Sequence, residues 1–255
     1  MPTEDSTAPP GTQTLARGLA VVRAVADGAT DLRGLVERTG LGRSTAHRLV
    51  QLLVQEGYVR SGRDGYALGP TLIELGFQAL HGNPLPVVAR PVLEELSAQL
   101  QDTVHLAVRD GSSVLYLDKL PGSRGAEMRS RIGHRMPLTR TGVGMALLLD
   151  SPHEWEQLYQ AETPVEPALA TGDVEAFTAR MREYAASQVT MDNEDNEPGI
   201  RCVAAPIRDA TGALVGAISV SATRPYMPAA RMRGLVKVVC RAAQRISAAL
   251  GHRSS

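Results

Sequence analysis

The stretch that decides the fold is GLGRSTAHRLVQ, residues 40–51. When this stretch and the turn that follows it are placed on a helical wheel at about 100° per residue, the polar side chains fall within one arc of roughly 140°. That arc carries Arg43, His47, Gln51, Ser44, Gln55 and Arg48. The other side, which we expect to be buried, carries Ala46, Leu49, Leu52, Leu53 and Thr45. Such polar groups contact phosphates and base edges in a DNA major groove, although a solvated helix face uses the same groups.

The neighbouring residues favour the DNA-binding interpretation. Apolar spacing predicts helices over residues 14–27 and 31–39, and the second begins at the N-cap Asp31 and ends at Gly40. Gly42 is the predicted N-cap of the third helix, and Gly57 ends it. The segments YVRS and YALG, with a Gly/Asp turn between them, then predict a β-hairpin. Three helices followed by a small hairpin predict a winged helix-turn-helix domain over residues 14–69.

In that motif the third helix reads the DNA, and its first residues contact base edges. The free amides of its first turn can also hold a phosphate. Arginines on the hairpin, the wing, would contact phosphate or the minor groove, although they can equally be solvated surface. The predicted DNA-binding residues are therefore Arg43, Ser44, Thr45, His47, Arg48, Arg60 and Arg63.

Composition limits the other possibilities. The 255 residues include 27 basic and 27 acidic side chains, so any DNA binding must depend on a local patch, which dimerisation could double. Residues 1–13 read as a disordered tail without the features of a signal peptide, and no apolar run approaches a membrane span. We therefore expect a cytoplasmic protein. Cys202 and Cys240 form no CxxC motif, so neither a metal site nor a cofactor is predicted.

A linker helix is predicted within residues 70–83, where PTLIELGFQALH begins with a helix-compatible proline. Its apolar residues cover more than one face, and such a surplus is usually buried against a partner. A dimer contact and packing against its own domain both remain open. The sequence Gly82-Asn83-Pro84 marks the predicted domain boundary.

Residues 84–255 are predicted to form a second, α+β domain. TVHLAV with VLYLDKL, and GIRCVAAPI with ALVGAISVSA, each alternate as a β-hairpin, and a further strand is predicted at residues 127–131. Helices are predicted at 87–101, 142–149, from Ser151, at 173–186 and at 228–250. Two hairpins and extra strands predict an antiparallel sheet flanked by helices.

Three segments carry a resemblance to a known family. RSTAHRLVQLLVQEGYV at residues 43–59 resembles the recognition helix and wing of the IclR family of bacterial transcription regulators. SRIGHRMPLTRTGVGMALL at residues 130–148 and DNEDNEPGIRCVAAPIRDATGALVGAISVSA at residues 192–222 continue it, so that the resemblance covers residues 14–250. Within the family, YLDKL, SRIG and MDNEDNEPGIRC look most like the branch that controls catabolism of 2-keto-3-deoxygluconate and related sugar acids.

The resemblance implies a winged helix-turn-helix, a linker helix and a GAF-like effector domain. It also implies a dimer or tetramer that binds operator DNA, most often as a repressor, under the control of a small organic acid. The family's effector pocket lies between the sheet and the loops that cover it. Carried over to this sequence, the effector-binding residues are Gly142, Val143, Asp192, Cys202, Ser219 and Ser221.

Physical arguments bear on these residues unequally. Thr141-Gly142-Val143-Gly144 opens a helix with small residues, so a carboxylate could reach free amides there, unless the glycines only allow close packing. Ser219 and Ser221 share one strand face, which could also be solvated. Asp192, which follows the strand-like SQVTM, could bind a ligand hydroxyl or cap a loop. Arg129 and Arg131 are candidates for pairing with a carboxylate. The family's usual residues are replaced by Val143, Met145 and Thr139-Arg140.

Two other function classes compete with a regulator. In an enzyme, Asp192, Cys202, His105, Ser219 and Ser221 could serve as catalytic residues. The sequence, however, has no nucleophile elbow, phosphate loop or metal-ligand spacing. A redox switch could use Cys202 and Cys240, but both lie in apolar surroundings that favour buried, inert thiols. We therefore predict a ligand-responsive DNA-binding regulator without catalytic residues.

Overall fold

The computed structural model describes residues 9, 11–81, 84–124, 128, 130–162 and 173–253. The chain divides into two compact units, residues 1–83 and 84–255. Among the helices of these described ranges, none is long and apolar enough to cross a bilayer.

The first unit has the predicted order of elements. Asp31 caps the second helix by accepting the Gly34 N–H at 2.7 Å, and Gly40 ends it with a left-handed φ of 68°. Gly42 is the N-cap of the third helix. A two-residue turn joins the two strands of the hairpin. The elements are α1 (Gln13–Ala26), α2 (Leu32–Thr39), α3 (Arg43–Gln55), β1 (Val59–Gly62), β2 (Gly65–Leu68) and α4 (Pro70–His81). The winged helix-turn-helix prediction is confirmed.

The core of this unit corrects the predicted buried face of α3. Ala46 and Val50 are fully buried, and Leu49 and Leu53 pack beside them against α1 and α2. Leu52 is 53% exposed, and Thr45 is exposed as well. The buried stripe has i, i+3, i+4, i+7 spacing from Ala46, and its centre lies about 110° around the helix from Leu52.

The second unit is an α+β domain, as predicted. Its six-stranded sheet has the order β5-β4-β3-β8-β7-β6, and every neighbouring pair is antiparallel. Its first elements are α5 (Leu85–Leu100), β3 (Thr103–Asp110), β4 (Ser113–Leu120), β5 (Arg135–Pro137), α6 (Gly142–Leu147) and α7 (Trp155–Ala161). They are followed by α8 (Val174–Ser187), β6 (Thr190–Asn193), β7 (Ile200–Arg208), β8 (Leu214–Thr223) and α9 (Ala229–Ala249).

The two faces of the sheet have different surroundings. Val104 and Leu106 of β3, with Ile218 and Val220 of β8, lie in one buried cluster with α5 and α9. Because side chains alternate along a strand, the residues between them point to the opposite face. On that face, α6 packs over β7 and β8, and α7 and α8 pack against each other beside it. This second face carries the candidate site.

The predicted strand at residues 127–131 is wrong. Met128, Ser130 and Arg131, the described residues of that segment, are not in a strand, and β5 lies at Arg135–Pro137. The Lys119 ammonium donates to the carbonyl oxygens of Met128 and Ser130, each at 2.7 Å. Side-chain bonds of this kind replace a strand ladder for these carbonyls.

Two further boundaries differ from the prediction. The helix expected from Ser151 begins at Trp155, because residues 151–154 form a turn in which the Ser151 carbonyl accepts the Glu154 N–H at 3.0 Å. The Trp155 indole N–H then donates to the Leu148 carbonyl at 2.7 Å, which fixes the start of α7 against the end of α6. Asp192 lies inside β6, not after a strand.

Candidate functional site

One polar surface lies along α3. The predicted contact residues on this helix are all exposed: Arg43, Ser44, Thr45, His47 and Arg48. The Gly42 N-cap is exposed too, so the amides of the first turn face outward. Arg60 and Arg63 are exposed on the hairpin, which packs against α3, and Val59 and Val50 lie in the same buried cluster. A helix with a buried apolar stripe thus presents a basic, hydroxyl-bearing face.

The second surface is a cavity of about 350 Å³ on the α6 side of the sheet. Its size falls in the range of about 300–1,000 Å³ that is usual for small-molecule sites. All the predicted effector residues line it: Gly142, Val143, Asp192, Cys202, Ser219 and Ser221. Residues that the sequence analysis did not assign to it, among them His105, Tyr116, Ser130 and His134, complete the lining.

Strand register assembles the floor of the cavity. Asp192 of β6 is opposite Cys202 of β7, and Cys202 is opposite Ser221 of β8. Ser219, two residues earlier on β8, is opposite His105 of β3. Ser219 and Ser221 are only 2% and 6% exposed, so the solvated alternative for these serines is wrong. A continuous polar row therefore crosses four neighbouring strands.

The start of α6 lies directly over this row. The Thr141 hydroxyl accepts the Gly144 N–H at 3.1 Å and itself donates to the Pro137 carbonyl at 2.8 Å. A β-carbon added to Gly142 would lie 2.3 Å from Cys202 Sγ. Glycine is therefore required here for the close approach of helix and sheet, which brings the amides of Gly142 and Val143 to the cavity. The packing role and a ligand role of this glycine are compatible.

Asp192 has an unusual protonation state for a carboxylate. Burial, followed by the nearby charge of Asp195, raises the pKa of Asp192 to about 8. One of its oxygens accepts the Asp195 N–H at 2.8 Å, so this side chain caps a loop and also lines the cavity. At neutral pH the carboxyl is mainly protonated and can donate a hydrogen bond to an anion.

His105 is held neutral at the other end of the row. Burial and the positive charge of Lys119 lower the pKa of His105 to about 3. Its Nε2 lies 2.7 Å from Ser130 Oγ and its Nδ1 lies 3.4 Å from Ser219 Oγ. The Tyr116 ring packs beside the imidazole, with a centroid distance of 4.9 Å. The strand alternation in TVHLAV could have placed His105 on the serine face, once the pairing of β3 with β8 was known.

Several other predicted residues lie away from the cavity. Arg129 falls outside the described residues, and Arg131 is exposed and does not line the cavity. Of the residues that depart from the family pattern, Val143 lines it, whereas Met145 is buried in the α6–α8 cluster. Arg140 is buried with its guanidinium 5.4 Å from the Tyr159 ring centre.

The cysteines are placed as inert thiols. Cys202 is buried, Cys240 is half-buried, and both are free. Burial raises the pKa of both thiols, so neither forms a thiolate readily. This arrangement gives no support to a redox switch.

Comparison with known proteins identifies the family. The family model described as "IclR helix-turn-helix domain" matches residues 14–63, and "Bacterial transcriptional regulator IclR C-terminal" matches residues 77–248. The chain belongs to the IclR family. As a member of this family of transcriptional regulators, it is a DNA-binding regulator with a C-terminal effector domain, and not an enzyme.

Named IclR relatives differ in what they control. The chain is 30% identical over 224 residues to the HTH-type transcriptional regulator KdgR of Escherichia coli, and the alignment covers 86% of this chain and 84% of that protein. It is 30% identical over 212 residues to the Pca regulon regulatory protein of Pseudomonas putida, and this alignment covers 81% of this chain and 73% of that protein. The structure of an IclR homolog from Microbacterium hydrocarbonoxydans, complexed with 4-hydroxybenzoate, superimposes with a TM-score of 0.82 at 26% identity. The superposition covers 93% of this chain and 98% of that chain.

Proposed function

We propose that this IclR-family regulator represses a catabolic operon for a sugar acid or related carboxylate, and that a small organic acid in the cavity controls its binding to operator DNA. The observation that carries the proposal is the buried polar row of Asp192, Cys202 and Ser221 beneath the start of α6. Polar groups in a domain core are usually replaced by apolar side chains unless they have partners or a function. Asp192 accepts the Asp195 N–H, and these residues also line a space large enough for a ligand.

The chemistry of this end of the cavity suits a carboxylate. The first-turn amides of a helix have no partner within the helix and lie at the positive end of its dipole. Asp192 would repel an anion if it were ionised, but its raised pKa keeps it mainly protonated at neutral pH. The Ser221 hydroxyl adds a donor on the floor. Gly142, Val143, Asp192, Cys202, Ser219 and Ser221 are accordingly the proposed effector contacts.

The proposed DNA contacts are the exposed residues of α3 and the wing. Arg43 and Arg48 can each donate two hydrogen bonds to guanine or phosphate, and Ser44, Thr45 and His47 lie on the same helix. Arg60 and Arg63 would contact the backbone from the hairpin. Because the whole chain has no net charge, this local patch must supply most of the attraction to DNA.

Self-association through α4 is part of the proposal. Ile73, Leu75 and Phe77 are 62%, 44% and 58% exposed on this helix. At about 100° per residue, Ile73 and Phe77 share one face of the helix and Leu75 lies on the opposite one. Exposed apolar side chains of this size are typical of a protein interface. A dimer would double the basic patch and would match a palindromic operator. Whether dimers pair into tetramers is a question for light scattering of the purified protein.

The test is a fluorescence-anisotropy titration on the intergenic DNA beside the protein's own gene, at several salt concentrations. The titration is repeated with 2-keto-3-deoxygluconate and a panel of other sugar acids. We expect tight, strongly salt-dependent binding that one of these acids releases. Arg43→Ala and Arg48→Ala should each abolish specific binding, whereas Arg182→Ala, which removes an exposed arginine of α8, should not.

The outcomes separate the parts of the proposal. Tight binding that no sugar acid changes would discard the sugar-acid effector and leave the regulator. Normal operator binding by both α3 variants would overturn the assignment of the recognition helix. An acid that strengthens binding, with higher expression of the neighbouring operon in the presence of the protein, would make it an activator.

An aromatic carboxylate is the second candidate effector. Tyr116, Met128 and Met136 give the cavity an apolar wall that suits a ring, and the similar Microbacterium hydrocarbonoxydans protein is complexed with 4-hydroxybenzoate. Adding 4-hydroxybenzoate to the same titration distinguishes the two candidates. Release by this acid but not by the sugar acids would favour the aromatic class.

A further inference from the structure

The cavity has a second polar end that the proposed carboxylate contacts do not use. His105 on β3 is separated from Cys202 on β7 by β8, so two strand spacings, about 9–10 Å, lie between the two backbones. A ligand whose carboxylate lies at the start of α6 and which extends across β8 has its other end near His105. Ser130 and Tyr116 line the cavity beside this histidine.

The groups at this end are donors and acceptors without a net charge. A neutral imidazole donates from one nitrogen and accepts at the other, and a serine hydroxyl does both. His105 Nε2 is 2.7 Å from Ser130 Oγ, and Nδ1 is 3.4 Å from Ser219 Oγ. In either tautomer the two serines keep hydrogen-bonding capacity that the imidazole does not use. Ser219 is buried, so this remaining capacity faces the cavity rather than bulk water.

The Tyr116 hydroxyl adds a further group to this end. The side chain is 7% exposed and lines the cavity, and its hydroxyl makes no hydrogen bond to any residue that the structure describes. The hydroxyl oxygen is not among the buried atoms that lack a partner, so it is accessible from the cavity. It can therefore bond to a polar atom of an occupant.

A second carboxylate would not fit this end. The nearest ammonium, that of Lys119, is bound to the Met128 and Ser130 carbonyls at 2.7 Å each and does not line the cavity. A carboxylate placed here would exchange its hydration for neutral hydroxyl and imidazole groups, whereas a hydroxyl can both donate to them and accept from them.

We propose that His105, Ser130 and Tyr116 form a hydroxyl-recognising subsite, so that the effector is a monocarboxylic acid with a hydroxyl group at the end away from its carboxylate. This inference rests on the proposed function, because it takes the carboxylate to lie at the start of α6. It extends that function by defining an effector class that includes both hydroxylated sugar acids and hydroxybenzoates. The residues at this end determine specificity and do not hold the carboxylate.

The experiment compares matched acids by isothermal titration calorimetry on the full-length protein. The pairs are 4-hydroxybenzoate with benzoate and 6-hydroxyhexanoate with hexanoate, and adipate serves as the dicarboxylate. We expect the hydroxylated member of at least one pair to bind about tenfold more tightly, which corresponds to about one hydrogen bond. Adipate should bind more weakly than 6-hydroxyhexanoate.

Variants at the two ends should respond differently. In Ser130→Ala and in His105→Phe, which keeps a ring beside Tyr116, the ratio of affinities between the hydroxylated and the unhydroxylated acid of each pair should fall towards one, whatever the change in affinity for benzoate and hexanoate themselves. In Ser221→Ala both members of each pair should lose affinity by the same factor. Since His105 is buried and its replacement could impair folding, the half-exposed Ser130 supplies the decisive variant.

Failure of this inference can be distinguished from failure of the proposed function. Equal binding of both members of each pair to the wild type, or an unchanged preference in Ser130→Ala, would overturn the hydroxyl subsite and leave a carboxylate-responsive regulator. Absence of binding by every hydroxylated acid would also overturn it. A hydroxyl preference without any effect of these acids on operator binding would instead contradict the proposed function.

Discussion

Replacing Gly142 by alanine tests the close approach of α6 to the sheet. The added β-carbon would lie 2.3 Å from Cys202 Sγ, whereas ordinary contacts begin at 3.4 Å. Helix and strand must therefore separate by roughly 1 Å, in a core that is packed as densely as an organic crystal. Overpacking of this kind costs about 1–3 kcal/mol, or about 2–12 °C in Tm for a domain of this size.

The assay is urea unfolding and differential scanning calorimetry on a set of four variants. Gly234→Ala in α9 is the matched control, because nothing lies within 4 Å of the added carbon and alanine favours a helix, so it should be neutral or stabilising. Cys202→Ala removes the clashing sulfur. The double variant Gly142→Ala/Cys202→Ala should therefore lose less stability than the sum of its two single changes, with a coupling free energy of about 1 kcal/mol or more.

Two results would refute this reasoning. Gly142→Ala could unfold at the same urea concentration as Gly234→Ala, in which case the close approach carries no energetic weight. The costs of Gly142→Ala and Cys202→Ala could also add without coupling, and then the clash is not with the sulfur. If the reasoning holds, Gly142→Ala should also weaken binding of the effector acid, because the new methyl group lies where the amides meet the cavity.

Four further predictions concern the cavity and the DNA-binding unit. The pKa of Asp192 is about 8 in the folded state, whereas its ordinary value is 3.8. Between these two values the native state holds a proton that the unfolded state has lost. The contribution of this group to stability is therefore lost as pH rises from about 4 to 8. Urea unfolding across that range should show a shallower pH dependence in Asp192→Asn. The same proton favours an anion, so calorimetry should find weaker carboxylate binding at pH 9 than at pH 7, and an equal affinity at both would contradict the assignment. Lys119→Met frees the carbonyls of Met128 and Ser130, two residues that line the cavity, so stopped-flow measurements should show faster effector release. An unchanged rate would mean that this contact does not hold these two residues at the cavity. Ile73→Glu should shift the light-scattering mass towards the monomer and weaken operator binding; a persistent dimer would place the interface elsewhere.

The sequence predicted the fold where local signals were strong. The Asp31 cap, the glycines after α2 and α3, and the alternation of the two long hairpins each specify an element through its own residues. The errors arose where a side chain from a distant element decides the backbone. Lys119 binds the carbonyls of the segment expected to be a strand, and Trp155 bonds to Leu148 where a helix was expected to begin earlier.

The candidate site divides in the same way. A local glycine pattern supports Gly142 and Val143, and strand alternation puts Ser219 and Ser221 on one face, but only the family resemblance assigned that face to the effector pocket. His105 could not be assigned to the cavity from β3 alone, because its position depends on pairing with β8, more than 100 residues later, and on contact with Ser130. The exposure of Leu52 likewise depends on where α1 and α2 pack, which a helical wheel does not contain.

The alternation along β3, β7 and β8 has a practical consequence for engineering a sensor. On each of these strands, one set of residues packs under α5 and α9, and the residues between them line the cavity or pack towards α6. Ligand preference and thermal robustness are therefore encoded by interleaved and largely separate positions. A combinatorial library confined to His105, Tyr116, Ser130, Ser219 and Ser221 could change the inducing acid without altering the apolar layer that holds the sheet to its helices.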